Sequence, residues 1–331
     1  MRHARHDAEL TATILSRRSL RYRTVAHPAL DRPAHVRAGS SLTWVGARLG
    51  VVQDDANFVA LVDPRTGLAR SIALPAGEEG RRQFQDALGN KKFKLDLESC
   101  CTIEGASGAM LLALGSGSKK RRRRIVTIES ITARLPRVSV IDADSLYESL
   151  EAAGEFAGSD LNIEGALALP GAVRLFTRGN GASKRGRDPV NATCELALPA
   201  LLAYLADPTR APVPTPRAIA QFDLGVLSGL PLGFTDATIS GETLLYTAAA
   251  EASAAASTDG AVSGSVVGVI PLKGNLRYAP LTDAQGRRTR DKIEGLVAVP
   301  GSADRVFVVI DADDPQRASE LCEVRLGGPW H

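Results

Sequence analysis

Apolar residues along this chain gather in short runs, not at helical spacing. "RLGVVQDD", "NFVALVDP", "RIVTIESI", "PRVSVIDA", "VRLFTRG", "TLLYTAA", "GSVVGVIPL", "RVFVVIDAD" and "ELCEVRL" are rich in Val, Ile, Leu and Thr, and Gly, Pro, Asp or Ser clusters bound them. Such runs predict β-strands. Helical periodicity is scarce. "DSLYESLEAAGEF" (144–156) predicts one short helix with Asp144 as its cap, whereas "ELALPALLAYLADP" (195–208) is ambiguous because it contains Pro199. "DPTRAPVPTPRA" (207–218) reads as a proline-rich surface loop.

The pattern repeats. "CTIEGASGAMLLALGSG" (101–117), "LNIEGALALPGAVRLFTRG" (161–179) and "DKIEGLVAVPGSADRVFVVIDAD" (291–313) share an acidic residue, a small residue, an apolar strand, a turn and a second strand. "GFTDATISGETLLYTAAAEAS" (233–253) is a weaker copy, and the acidic positions are Glu104, Glu164, Asp236 and Glu294. The first unit, "GSSLTWVGARLGVVQDDANFVALVDP" (39–64), has no carboxylate at that position and offers Ser40 or Ser41. Self-similarity at a long, nearly fixed interval with many short strands predicts an all-β β-propeller. Five blades fit best. Six stay open, because the units are longer than the roughly 40–50 residues of known propeller repeats. Residues 1–15 read as an N-terminal tail and 16–331 as a single propeller domain. Within it, "SRRSLRYRTV" (16–25) is expected to close the ring as the outer strand after "CEVRLGG".

In a propeller blade the innermost strand lies nearest the axis. An acidic residue at its start shares a face with the loop joining the second and third strands. Glu104, Glu164, Asp236 and Glu294 are therefore expected around one mouth of the channel, as candidate catalytic and metal-binding residues. Gly105, Gly165 and Gly295 would allow close backbone approach. Converging carboxylates repel unless a cation or proton intervenes, and hard oxygen ligands suit Ca²⁺, Mg²⁺ or Mn²⁺. The other reading is that these carboxylates accept backbone N–H bonds and lock adjacent blades together.

The expected loops on that face are "QDDAN", "GSGSKKRRRR" (115–124), "RGNGASKRGRD" (178–188), "AEASAAASTDG" and "DADDP" (311–315). Lys119, Arg178, Asn180, Lys184 and Arg187 are the candidate ligand-binding residues for a small anionic molecule. The basic run also reads as a solvated hairpin. Few aromatics interleave with it, so a nucleic-acid stacking platform is not expected. "DADDP" resembles a calcium loop but lacks the glycine and terminal glutamate of an EF-hand, so it reads as a surface turn.

Composition trims the list of chemistries. The chain has 331 residues, 44% hydrophobic, with a net charge of +3, too small for a general nucleic-acid binder. The histidines are His3, His6, His27, His35 and His331, which argues against a Ser-His-Asp hydrolase or a multi-histidine metal centre in the repeats. Cys100, Cys101, Cys194 and Cys322 have no metal-ligand or redox-motif spacing and read as buried free thiols. No apolar run reaches the roughly 20 residues that span a bilayer, and the N-terminus lacks the apolar core of a secretory signal. A soluble, cytoplasmic protein is expected, and "NAT" (191–193) is then a chance sequon.

"NIEGA" (162–166), "KIEGL" (292–296), "TDATISGETLLYTAAAEAS" (235–253) and "VVIDADDP" (308–315) together resemble the phytase-like propellers described as esterase-like. More loosely they are similar to the gluconolactonase and regucalcin group. The nearest relatives are expected in an uncharacterised bacterial propeller family. The resemblance implies metal-dependent hydrolysis of a phosphoester, an ester or a lactone. The histidine-containing acid-phosphatase motif is absent, so the phytase likeness concerns the propeller alone. A non-catalytic propeller that binds a small anionic ligand or a protein is the alternative.

Overall fold

A computed structural model describes residues 1–105, 108–184, 186–252, 260 and 262–330. The strands form successive four-stranded antiparallel groups. The first is Gly39–Val45, Arg48–Gln53, Phe58–Val62 and Leu68–Ala73. The second is Leu97–Gly105, Gly108–Gly115, Arg124–Glu129 and Arg137–Asp142. Ile163–Leu169, Ala172–Thr177, Asn191–Ala197 and Arg217–Asp223 follow. Next come Leu230–Ser240, Thr243–Glu251, Val262–Ile270 and Leu276–Thr282. Lys292–Ala298, Arg305–Asp311 and Glu320–Gly327 end the series. The leading strand of each group touches the leading strand of the next, and Lys292–Ala298 touches Gly39–Val45, so these inner strands close a ring. The architecture is all-β and propeller-like.

The apolar runs have a direct cause. Hydrophobic clusters lie at the junctions between groups, so both faces of a strand are covered. On Gly108–Gly115, Leu112 and Leu114 pack toward the third group, while Leu111 and Ala113 pack toward the first. A strand buried on both sides reads as a continuous apolar run, not as an alternation. The sequence 195–208 divides at its proline: Asn191–Ala197 is strand, and Leu198–Ala206 is a helix with Pro199 in its first turn. With Asp144–Ala152, this helix covers the junction of the second and third groups through Leu146, Leu150, Leu201 and Tyr204. Asp144 is the first helical residue and not the cap.

The N-terminus departs from the expected tail. Arg2–His6 pairs in parallel with both Arg217–Asp223 and Leu276–Thr282, bridging two groups. The closing strand is Thr11–Ser19, running antiparallel to Glu320–Gly327 from Thr11↔Gly327 to Ser19↔Glu320. Closure thus occurs as expected, but several residues earlier than 16–25. Arg21–Tyr22 instead edges the first group, parallel to Leu68–Ala73. Leu10, Ala12 and Ile14 are buried against the last two groups, which explains why 1–15 cannot be free.

Burial of Leu10 and Ile14 alone contributes about 3–6 kcal/mol. Removing residues 1–19 should therefore lower the melting temperature sharply and expose the edge of Glu320–Gly327 to self-association. An unchanged thermal melt and a monomeric light-scattering profile would contradict this closure.

Candidate functional site

Near its start, each inner strand carries a register shift: between Gly39 and Ser41, Leu97 and Ser99, Ile163 and Gly165, Phe234 and Asp236, and Ile293 and Gly295. The extra residues are Ser40, Glu98, Glu164, Thr235 and Glu294. A bulge of this kind breaks the in–out alternation and re-aims one side chain. Ser40, Glu98, Glu164 and Glu294 all line a cavity of about 60 Å³ on the ring axis. Grooves of about 390, 360 and 330 Å³ share lining residues with it, among them Asp55, Lys292 and Arg178 respectively.

The residue two before each bulged glutamate also lines the cavity: Asp96, Asn162 and Lys292. Residues at the ends of the second strands complete it, including Asp54, Arg178, Glu251 and Asp311. This is the face on which the loops between second and third strands were expected.

Two charge clusters divide the cavity. In the first, the Lys94 ammonium lies 2.6 Å from Asp54, 3.1 Å from Asp55 and 2.9 Å from Asp96. Arg122 adds a 3.0 Å contact to Asp96, whose carboxylate also accepts from the Ser116 hydroxyl. Burial pushes Asp54 up to about 8, with Lys94 opposing and Asp55 and Asp96 reinforcing the shift. Burial acts the same way on Asp96, but Lys94 and Arg122 outweigh it and hold this carboxyl below its ordinary value. Lys94 is itself buried, yet the surrounding aspartates keep it charged well above the usual lysine range.

In the second cluster, Arg178 contacts Glu251 at 2.7 Å and Glu164 at 3.7 Å, while Lys292 lies 2.8 Å from Glu294 and 3.4 Å from Glu251. Asn162 donates to Glu164 at 2.6 Å. The Arg178 stem lies against Gly233, where a Cβ would come within 2.7 Å of Cγ, so only glycine leaves this path open. Burial, opposed by Lys292 and reinforced by Glu164, pushes Glu294 up to about 8. Burial likewise raises Glu164 against the pull of Arg178.

Glu98 stands between the clusters. Among the described residues its carboxyl has no hydrogen-bond donor and no ion-pair partner. Burial raises its pKa well above the ordinary carboxyl value, and Asp54, Asp96 and Glu164 push in the same direction.

The expected site residues therefore divide. Glu164, Glu294, Arg178 and Asn180 meet at the cavity. Glu104 does not. It is exposed near the hairpin end of Leu97–Gly105, six residues beyond Glu98 and hence roughly 20 Å along the strand. Asp236 lies next to the bulge, not on it, and points into the packed interior. It accepts from Ser41 Oγ at 3.0 Å, Leu296 N at 3.0 Å and Ala237 N at 2.8 Å, which ties three inner strands together. That is the blade-locking role. Gly165 and Gly295 do permit close approach, toward Asp236 and Ser41, whereas the position of Gly105 is roomy.

Lys119 is exposed, Lys184 pairs with Asp160 at the surface, and the exposed Arg187 lies over Gly154. The basic run is spread over separate acids: Lys120 to Asp144, Arg121 to Glu78, Arg123 to Glu151 and Arg124 to Asp142. Of that run, Arg122 alone lines the cavity. Most of the "AEASAAASTDG" loop, together with Arg185, lies outside the described residues. The four cysteines are free and buried. Among the described residues no helix is long and apolar enough to cross a membrane.

A divalent cation held by Glu104, Glu164, Asp236 and Glu294 does not fit. Two of these carboxylates are elsewhere, and the other two already face Arg178 and Lys292. Oxygens of Asp54, Asp96 and Glu98 do lie within 4.8 Å of one another, but the Lys94 ammonium is seated against two of the three.

Two outcomes follow from these placements. Asp236→Ala should cost about 3 kcal/mol or more, because its buried donors lose their acceptor, and chemical denaturation would measure this. Glu294 holds a proton in the folded chain up to about 8 that the unfolded chain releases at the ordinary carboxyl value. Stability should therefore fall as pH rises through that window, and the fall should be shallower in Glu294→Gln. Parallel melting-temperature profiles for the two proteins would contradict the assignment.

Similarity to known proteins is distant at the level of structure. The chain resembles a glutaminyl cyclase from Myxococcus xanthus at 12% identity, over 97% of this chain and 98% of that one, with a TM-score of 0.49. It resembles an α-L-arabinofuranosidase from Podospora anserina, solved with cellotriose, at 10% identity over 98% of both chains, with a TM-score of 0.44. The calcium-binding protein regucalcin from Agrobacterium tumefaciens gives 11% identity, 88% and 92% coverage, and a TM-score of 0.36. Scores this low support no inference about activity. No curated protein matches the chain. A sequence model matches residues 35–326, and on that match the chain belongs to the family of unknown function DUF6929.

Proposed function

We propose that the chain is a five-bladed propeller whose axial cavity hydrolyses a carboxylic ester or lactone by general acid–base catalysis, with Glu98 as the proton carrier. The supporting observation is Glu98 itself. It is aimed into the cavity by a bulge, left without a partner, and shifted toward the pH at which a carboxyl group can both take and return a proton. In the ionised form Glu98 takes a proton from water as the water oxygen attacks the carbonyl carbon. The protonated form then returns it to the alkoxide as the acyl–oxygen bond breaks. The Asn180 amide lines the same cavity and donates to the carbonyl oxygen as charge develops there.

The lining also bears on substrate class. Nine carboxyl residues line the cavity against four lysines and arginines, and each of those four is already ion-paired. This excess weighs against a phosphoester or another anionic ligand and favours a neutral acyl compound. A space of about 60 Å³ admits the reacting group, while its substituents extend into the adjoining grooves.

The test is a panel of neutral aryl esters and aliphatic lactones assayed with the wild type and Glu98→Gln. The wild type should hydrolyse at least one of them, and the substitution should lower the rate by about 100-fold or more with an unchanged melting temperature. Because the ionised carboxylate starts the reaction, the rate should rise with pH through a limb well above the ordinary carboxyl range. No turnover across the panel, or full activity in Glu98→Gln, would overturn the reading. Tight binding of a panel compound without turnover would identify a non-catalytic receptor instead.

A further inference from the structure

The first charge cluster has the composition of a divalent-cation site with a lysine in it. Asp54, Asp96 and Glu98 place carboxylate oxygens within 4.8 Å of one another. Three hard carboxylate oxygens this close together are the donor type that calcium takes. The Lys94 side chain is only 7% exposed, and its ammonium approaches Asp54 at 2.6 Å and Asp96 at 2.9 Å, with Asp55 at 3.1 Å. The ammonium donates to Asp54 and Asp55 and makes an ion-pair contact with Asp96, so three carboxylates surround its three N–H groups. The chain delivers it from the segment joining the first and second groups, directly after the short turn Lys91–Phe93. One oxygen each of Asp54 and Asp96 has no hydrogen-bond donor beyond this ion pair. Without the ammonium, Arg122 would be left to offset Asp96 alone, and Asp54 would lose its cation.

We propose that Lys94 is the resident cation of this cavity: it holds the position that a hard divalent ion would otherwise take, and it makes the wild-type site metal-free. Removing the ammonium while keeping the carboxylates should uncover a binding site for Ca²⁺ or Mn²⁺. Lys94 is accordingly a positioning residue. It fixes Asp54 and Asp96 beside Glu98 without any need to touch a substrate. This stands on the geometry of the cluster and not on the hydrolytic reading, and it is read out by metal binding, so either can fail alone.

The experiment is calorimetric titration of the full-length, chelator-treated protein with MnCl₂, supported by the paramagnetic signal of free Mn²⁺. Wild type and Lys94→Arg should show no saturable binding. Lys94→Gln should bind one ion per chain, and Lys94→Gln combined with Asp96→Asn should lose it. Saturable binding to the wild type as tight as to Lys94→Gln would overturn the proposal, as would a folded Lys94→Gln that binds nothing. Should Lys94→Gln purify unfolded, refolding with and without 10 mM MnCl₂ decides: recovery with metal is expected, and no recovery overturns the proposal. In either case CaCl₂ or MnCl₂ should leave the wild-type melting temperature unchanged, and a metal-dependent rise would count against Lys94.

Discussion

A single extra residue near the start of each inner strand sets the geometry of the axial cavity. In a regular strand, neighbours of a buried aliphatic residue face the opposite side of the sheet. Here both sides of each group are occupied by hydrophobic junctions, so a regular strand would have nowhere to send a carboxylate except into a core. The shift at Glu98, Glu164 and Glu294 gives a third direction, toward the axis. The same shift leaves the following residue, Ser99, Gly165 or Gly295, to continue the sheet. Where the carboxylate lies one residue off the bulge, as at Asp236, it stays inside and becomes part of the scaffold.

Gathering carboxylates on an axis requires positive charge in the same small volume. Lys94, Arg122, Arg178 and Lys292 supply it from four different parts of the chain. Their distribution is uneven. Asp96 is held ionised by two cations, Glu294 keeps its proton beside one, and Glu98 faces none at contact distance. Carboxyl groups lining one cavity are thus shifted in opposite directions, which is the usual basis for dividing donor and acceptor roles in a site.

Most of the architecture was legible in the sequence, because strands buried on both faces announce themselves as apolar runs between turn residues. The site was legible in part. Glu164 and Glu294 are legible from the repeat, and the first unit's counterpart is legible only as Ser40 or Ser41, of which Ser40 is the bulged residue. The second unit misled. Ile103-Glu104-Gly105 copies the tripeptide Ile-Glu-Gly of the third and fifth units, but it lies at the hairpin end of its strand. The true counterpart is Leu97-Glu98-Ser99. A longer frame shows it: Asp96-Leu97-Glu98, Asn162-Ile163-Glu164 and Lys292-Ile293-Glu294 each place a polar residue, an aliphatic residue and a glutamate in line. Lys94 had no such signal. It comes from a connecting segment with no repeat, and its meaning lies in three carboxylates distant in sequence. The basic run "KKRRRR" drew attention by composition alone, yet all but one of its members serve local ion pairs at the rim.

The seam of the ring has a consequence for how the chain is made. Thr11–Ser19 leaves the ribosome long before its partner, Glu320–Gly327. Arg2–His6 likewise waits for Arg217–Asp223 and then Leu276–Thr282. The groups in between can form in order, each against the one before it, while the opening segment still lacks its antiparallel partner and leaves Leu10, Ala12 and Ile14 incompletely covered. Completing the seam is then a late step that joins segments far apart in sequence. The antiparallel seam cannot form until Glu320–Gly327 has been made, and a chain truncated upstream of Glu320 leaves Thr11–Ser19 with only its short parallel pairing to Leu276–Thr282.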